Sequence, residues 1–366
     1  MSSVYIISAK QISAQQPLAG EWFERPVLYT EPYVRATDPD YKQFFTPNES
    51  RRFGKILKRA LLVSRQAMAE SGVASPDAII TGTGLGCIEN TEIFLDKLVR
   101  EGEEMLNPTH FMQSTHNTVG SLIAIDARCH AYNTTYAHGG ISFECALQDA
   151  FMQLEAGEIN TVLVGAHDEM TPAYFALLKK AGYLGRPGQA FAGETAVAMI
   201  LSTTAAENPA SETPEPPPPP GTSGSPERTA GQAKALCRIE AVEKFYRPGN
   251  ISDALSGNLG RIGNLDGIEA VMTGISGDPK NDEIYLKNCA ELFPGAALLR
   301  YKNIFGEGYT APALGVYAAA ECLHRGEIPA HLSPDGKGRK LPSRAKILCY
   351  NHFEGKNHTF ILLSGC

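Results

Sequence analysis

The stretch TYAHGGISFECALQDAF, residues 135–151, has the layout of a strand end, a tight Gly139–Gly140 turn and an apolar helix. Such an elbow presents one side chain at a helix N-terminus, where backbone N–H groups and the helix dipole favour negative charge. A thiol mounted there is an activated nucleophile, because the local field lowers its pKa. Here the apex carries glycine, which has no side chain with which to do that chemistry. The nearest thiol, Cys145, lies five residues past Gly140. That is roughly 7 Å farther along a helix rising 1.5 Å per residue, so it reads as a structural thiol facing the core. The eight cysteines are scattered with no CxxC pair. This predicts a reduced compartment and mostly buried thiols, and argues against a metal site.

Around this elbow the chain alternates strands and helices. VYIISAKQIS opens with a strand, and apolar positions at helical spacing in 50–72 (Phe53, Ile56, Leu57, Ala60, Leu61, Ala67) predict a long helix. The Arg/Lys cluster of that helix reads as a solvated face rather than a dock for an acidic partner. DAIITGTGLG (77–86) predicts a strand and glycine turn, NTEIFLDKLVREG a helix capped by Asn90, and HNTVGSLIAIDARCH another helix. TVLVGAHDE (161–169) closes the run as a strand with a polar end. The pattern repeats more loosely later: a strand in GIEAVMTGISGD, a helix in NDEIYLKNCAELF, a glycine turn and Ala-rich helix in 297–326, and two terminal strands in KILCYNHFEGKNHTFILLS. Such repetition predicts an α/β protein with internal duplication. Residues 1–206 form one half and 235–366 the other. Between them lies 207–234, with five consecutive prolines and Ser/Gly/Glu flanks. It reads as a disordered insertion joining two sheet strands; a polyproline ligand for a recognition domain is the alternative.

With 366 residues, 43% hydrophobic and 20% charged, the chain can bury a large core. Its formal net charge of −7 implies no broad cationic surface for nucleic acid. The opening MSSVYIISAKQIS has no basic segment before an apolar one, and no run approaches ~18 apolar residues, which predicts a cytoplasmic protein without a membrane span.

In order and spacing these motifs resemble the β-ketoacyl synthases of the thiolase superfamily. RRFGKILKRALLVSRQAMAESG is similar to their first long helix, ITGTGLG to the strand–turn after it, and GAHDEMTP to the glycine–acid strand end. KNIFGEGYTAPALGVYAAAECL resembles the Lys-x-x-x-Gly-His turn and Ala-rich helix, and NHFEGKNHTFILLS the terminal Phe-Gly loop. NPTHFMQSTHNTVGSLIAI is closest to a bacterial branch found with aryl polyene pathways. The resemblance implies a thiolase-like αβαβα fold of two duplicated halves, with no cofactor. In that family an elbow cysteine takes the acyl chain and two histidines assist decarboxylation and stabilise the oxyanion. By the resemblance the cysteine position falls on Gly140, one histidine on Glu307 and the other on Gly274 or Ile275, while the family lysine is kept as Lys302. No histidine occurs between His167 and His324, the interval that would hold both. His116, His138 and His352 remain as histidines able to approach the site, with Phe353 of the terminal loop beside a substrate tunnel. Glu307 and Lys302 read as an ion pair, or as an acid/base in other chemistry.

The resemblance therefore implies a subunit inactive in condensation on its own. Such chain-length factors pair with an active ketosynthase, meet its acyl carrier protein, and shape the tunnel in which a polyketide or polyene grows. Two alternatives stand beside this: a divergent enzyme performing decarboxylation or acyl transfer without cysteine, and a non-catalytic homodimer that binds acyl chains or carrier protein.

Overall fold

The computed structural model describes residues 2–18, 20–103, 106–205, 235–256, 262 and 267–366. The first half runs β1 (Val4–Ile12), α1 (Pro47–Arg52), α2 (Lys55–Ser71), β2 (Ala78–Gly82), α3 (Ile88–Glu101), α4 (Pro108–Gln113), α5 (Thr118–Asp126), β3 (Tyr132–Tyr136), α6 (Ser142–Ala156), β4 (Thr161–Asp168), α7 (Pro172–Lys180) and β5 (Thr195–Ser202). The second runs β6 (Cys237–Tyr246), α8 (Ile251–Ser256), β7 (Ile268–Thr273), α9 (Pro279–Leu292), β8 (Ala297–Arg300), α10 (Lys302–Phe305) and α11 (Pro312–Arg325). A short ribbon, β9 (Glu327–Ile328) with β10 (Arg339–Lys340), precedes the last strands, β11 (Lys346–Phe353) and β12 (Asn357–Ser364). The proline-rich stretch 207–234 expected to join β5 and β6 lies outside the described residues.

Ten strands form one mixed sheet in the order β3-β2-β4-β5-β1-β6-β12-β11-β7-β8. Read outward from its middle, each half places its strands in the same order. β3, β2 and β4 are parallel neighbours, and β5 and β1 follow antiparallel. β8, β7 and β11 repeat that parallel block, and β12 and β6 repeat the antiparallel pair. The halves join where β1 pairs with β6 (Val4 with Ile239, Ile6 with Cys237). Internal duplication is therefore written in strand direction as well as order.

Three cores separate five layers. The central core holds α6 and α11 between the two half-sheets, the second holds α2 and α5 against the outer face of the first half, and the third holds α9 against the outer face of the second. This is the αβαβα arrangement of thiolase-like folds. In α6 the buried Phe143, Ala146, Leu147, Ala150, Phe151 and Leu154 follow helical spacing. Each buried Phe or Leu contributes about 1.5–3 kcal/mol. α11 is buried over most of its circumference, and its alanines allow strands from both halves to approach it.

Two local expectations differ. The helix expected over 50–72 is broken: Phe53 and Gly54 are extended, and α2 begins only at Lys55. Glycine is a poor helix former, and here it serves as the N-cap residue of α2. Nor is the basic face of that helix simply solvated. Arg59 is 1% exposed and bridges Asp38 (2.6 Å) and Glu194 (2.9 Å), while Arg65 reaches Asp126 at 2.6 Å. Asn90 does not cap α3, whose N-cap is Cys87; it sits inside the helix facing His110 Nδ1 at 2.9 Å.

Candidate functional site

β3 ends at Tyr136, a single 3-10 turn spans Gly139–Ile141, and α6 begins at Ser142. The Ser142 hydroxyl donates to Gly139 O at 2.7 Å and accepts the His138 N–H at 2.8 Å, closing the elbow. Gly139 is left-handed (φ +58°), a conformation that costs glycine nothing. Gly140 is buried.

What fills the place of a side chain here is Phe353. A β-carbon at Gly140 would stand 2.9 Å from Phe353 Cε2 and closer still to Cδ2; at Gly139 the same ring is 3.5 Å away. Tyr309 meets Phe353 edge-on at 6.2 Å between centroids.

Beneath the elbow a polar relay runs from the C-terminal half into α6. The His352 N–H donates to the Tyr285 hydroxyl (3.1 Å), which donates to Asn351 Oδ1 (2.9 Å). Asn351 Nδ2 in turn donates to Glu144 Oε1 (2.6 Å) and to Gly140 O (3.3 Å). The Thr359 hydroxyl also donates to Glu144 Oε1, at 3.1 Å. Glu144 Oε2 has no partner among the described residues. Burial pushes the Glu144 carboxyl up to about 7, opposed by the hydrogen bonds from Asn351 and Thr359 and by the positive charge of Lys302.

The residues singled out in the sequence separate into two groups. Gly140, Gly274, Lys302, Glu307, His352 and Phe353 gather round the relay. A β-carbon at Gly274 would collide with the Tyr285 hydroxyl and approach Asn351 Oδ1 to 3.1 Å. Lys302 is almost buried, and its Nζ donates to Glu307 Oε2 at 2.7 Å. The Glu307 backbone is fixed by Phe191 O (2.7 Å) and Gly193 N (2.9 Å). His352 is buried with Nε2 2.9 Å from Asn281 O, and burial pulls its pKa down to about 4. His116 and His138, by contrast, are exposed. His116 packs on the turn at Gly86, and the His138 ring lies 6.0 Å from Tyr136. Neither joins the relay.

Glu144, Asn351 and Tyr285 were not singled out in the sequence. Helical spacing was the available signal, because Glu144 falls on the same face of α6 as the apolar Leu147 and Phe151 and would be buried with them. Asp168, at the end of β4, accepts from the Thr83 hydroxyl (2.6 Å) and from the Gly84 and Leu85 N–H groups (3.0 and 2.9 Å). It therefore holds the glycine turn after β2. Among the described residues no group of three or more His, Cys, Asp or Glu is placed to hold a metal, and no helix is long and apolar enough to cross a membrane.

The family described as Beta-ketoacyl synthase, N-terminal domain, matches residues 30–246, more than half of the sequence. The chain belongs to the β-ketoacyl synthase family. Among solved structures it is similar to the ishigamide ketosynthase/chain length factor (TM-score 0.75, 16% identity, covering 100% of this chain and 99% of that one). It is also similar to a type II PKS acyl-carrier protein complex with its ketosynthase bound to the hexaketide (0.75, 12%, 100% of each). A β-ketoacyl synthase from Burkholderia phymatum STM815 matches at 0.73 and 14%, again over 100% of each chain. At these identities the likeness is one of fold. No curated protein matches the sequence.

Proposed function

We propose that this chain is a non-catalytic ketosynthase-like subunit, a chain-length factor that pairs with an active ketosynthase and shapes the tunnel for a growing chain. The pathway class is type II polyketide, aryl polyene or fatty-acid-like synthesis, in the cytoplasm, with acyl carrier protein delivering the substrate. One observation carries the reading: the elbow has glycine at both apex positions, and Phe353 lies where a nucleophile's side chain would stand. A subunit that never holds an acyl thioester needs neither a thiol at Gly140 nor imidazoles at Gly274 and Glu307. The Lys302–Glu307 ion pair then replaces a histidine network with a self-satisfied one.

The similar structures include a ketosynthase/chain length factor and a ketosynthase with its acyl-carrier protein, which agrees with this pairing. The edge position of β3 adds to it, since a free edge strand is a template for pairing with another chain. The test is co-purification with an active ketosynthase from the same genome, followed by malonyl-dependent elongation on carrier protein. The chain alone should show no elongation, and the pair should give a product whose length changes when the elbow region of this chain is altered. Turnover by the isolated chain would instead favour a divergent enzyme. That second reading has its own support in Glu144, a buried carboxyl held near neutrality beside the elbow. A stable self-dimer indifferent to any ketosynthase would favour the homodimeric binding protein.

A further inference from the structure

Cys145 and Lys244 come from opposite halves of the duplication, one on α6 and the other on β6. Lys244 Nζ stands 3.0 Å from Cys145 Sγ, so the hydrogen bond of this half-buried lysine goes to sulfur rather than to a carboxylate. Cys145 is 5% exposed, and Lys244 near the end of β6 is half-buried. The backbone on both sides is anchored. Gln148, one turn along α6, reaches Val242 O at 3.4 Å, and Lys244 pairs in register with Thr359, whose hydroxyl holds Glu144. Nitrogen and sulfur are thus brought within bonding approach by elements that do not need to move.

We propose that Cys145 and Lys244 form an oxidative cross-linking site, in which peroxide converts the Sγ···Nζ contact into a covalent bond between the two halves. Sulfur takes one oxygen from hydrogen peroxide as the O–O bond breaks, giving the sulfenic acid and one water. The lysine nitrogen then attacks sulfur, the S–O bond breaks, and the hydroxyl leaves with a proton from nitrogen as a second water. One amine, one thiol and one peroxide give one S–N bond and two waters; sulfur is oxidised and peroxide reduced by two electrons. A second peroxide gives the S–O–N form of the same link: its O–O bond and the S–N bond break, S–O and O–N bonds form, one more water leaves, and the link is oxidised by two further electrons as this peroxide is reduced. A sulfenic acid has a waiting nucleophile here, as it does beside a resolving cysteine or a backbone nitrogen. The link would clamp α6, one residue beyond Glu144, to the C-terminal half. It is independent of whether the elbow performs catalysis.

The experiment is peroxide treatment of the purified full-length chain, denaturation, tryptic digestion and mass spectrometry with and without dithiothreitol. The expected result is one species joining the Cys145 and Lys244 peptides, lighter by two hydrogens than their sum or heavier than that by one oxygen. Trypsin should fail to cut at Lys244, and dithiothreitol should restore cleavage. Lys244→Arg keeps the cation and should abolish the species, as should Cys145→Ser. Mapping in the wild-type chain decides the matter even if a variant folds poorly. Oxidation of Cys145 only to sulfinic or sulfonic acid, or unimpaired cleavage at Lys244, would overturn the proposal. So would a cross-link of Cys145 that persists in Lys244→Arg.

Discussion

The Phe353 ring lies against the Cα of Gly140, so close that no β-carbon fits between them. The two residues are 213 positions apart (353 − 140) and are joined because β11 ends beside the elbow that opens α6. Glycine at 140 and phenylalanine at 353 therefore specify each other. Gly140→Cys must displace the ring or the turn, and overpacking of this kind typically costs ~1–3 kcal/mol. The expected outcome is a lower urea midpoint with an unchanged slope, largely recovered in Gly140→Cys combined with Phe353→Ala. Gly139→Cys has room but must hold φ +58°, a strain of about 1–3 kcal/mol that the Phe353 change should not relieve. Iodoacetamide should label the double variant faster than Gly140→Cys alone. No variant should elongate malonyl units. Elongation by any of them would mean that the acid–base groups are present after all.

Glu144 gives a pH signature. Its folded pKa is raised to about 7 from 4.5, so the folded state holds this proton more tightly than the unfolded chain does. The associated stability is fully present below about 4.5 and is lost as pH rises through about 7, a change on the order of 3 kcal/mol. His352 and His167 oppose it: burial lowers their pKa values to about 4 and about 3, so their contribution is lost as pH falls from 6.5. The informative quantity is consequently a difference. Glu144→Gln, which still accepts from Asn351 and Thr359, should gain on wild type steadily between pH 4.5 and 7. A stability difference flat across that window would refute the assignment.

Arg59 is the buried cation on which the first half depends. It ties Asp38 to Glu194, and Glu194 also accepts the Ala36 and Met170 N–H groups at 2.8 and 3.1 Å. Removing one partner of such a network leaves an uncompensated buried charge and typically costs roughly 3–5 kcal/mol. Arg59→Met should therefore lower the melting temperature far more than Arg51→Met in the exposed part of α1, as calorimetry would read.

Much of the fold is legible because its strands are short apolar runs bounded by glycine turns, and α6 and α2 carry buried residues at helical spacing. The break at Phe53–Gly54 was less visible, since apolar residues keep their period straight through it. The site was legible where glycine or charge replaced an expected side chain, at Gly140, Gly274 and Glu307, and where the resemblance carried over Lys302 and the terminal-loop pair His352 and Phe353. The relay from His352 through Tyr285 and Asn351 to Glu144 was not, because its members lie on α9, β11 and α6 and meet only after the halves close. A single polar residue within an apolar run does not say which distant residue will satisfy it.

Association should depend on the β3 side of the molecule. β3 is an edge of the ten-stranded sheet, and Tyr132 on it is 44% exposed. α5 is tied to this strand by the Asn133 side chain donating to Gly120 O at 3.0 Å, and it leaves Ile125 75% exposed. α3 and α4 add Val99, Phe111 and Met112, at 84%, 57% and 68%. Exposed large apolar side chains in the half that carries an edge strand point to a partner surface. Ile125→Glu with Val99→Glu should change the stability of the isolated chain by no more than about 0.5 kcal/mol, because both side chains already face water. In the proposed assembly each glutamate would be desolvated without a partner, so co-purification with an active ketosynthase should fall at least about tenfold, the equivalent of ~1.4 kcal/mol. Leu286→Glu on α9, 46% exposed on the opposite half, is the control and should leave assembly intact. Size-exclusion chromatography of co-expressed pairs reads the result. Undiminished association of the double variant would move the interface elsewhere on the molecule.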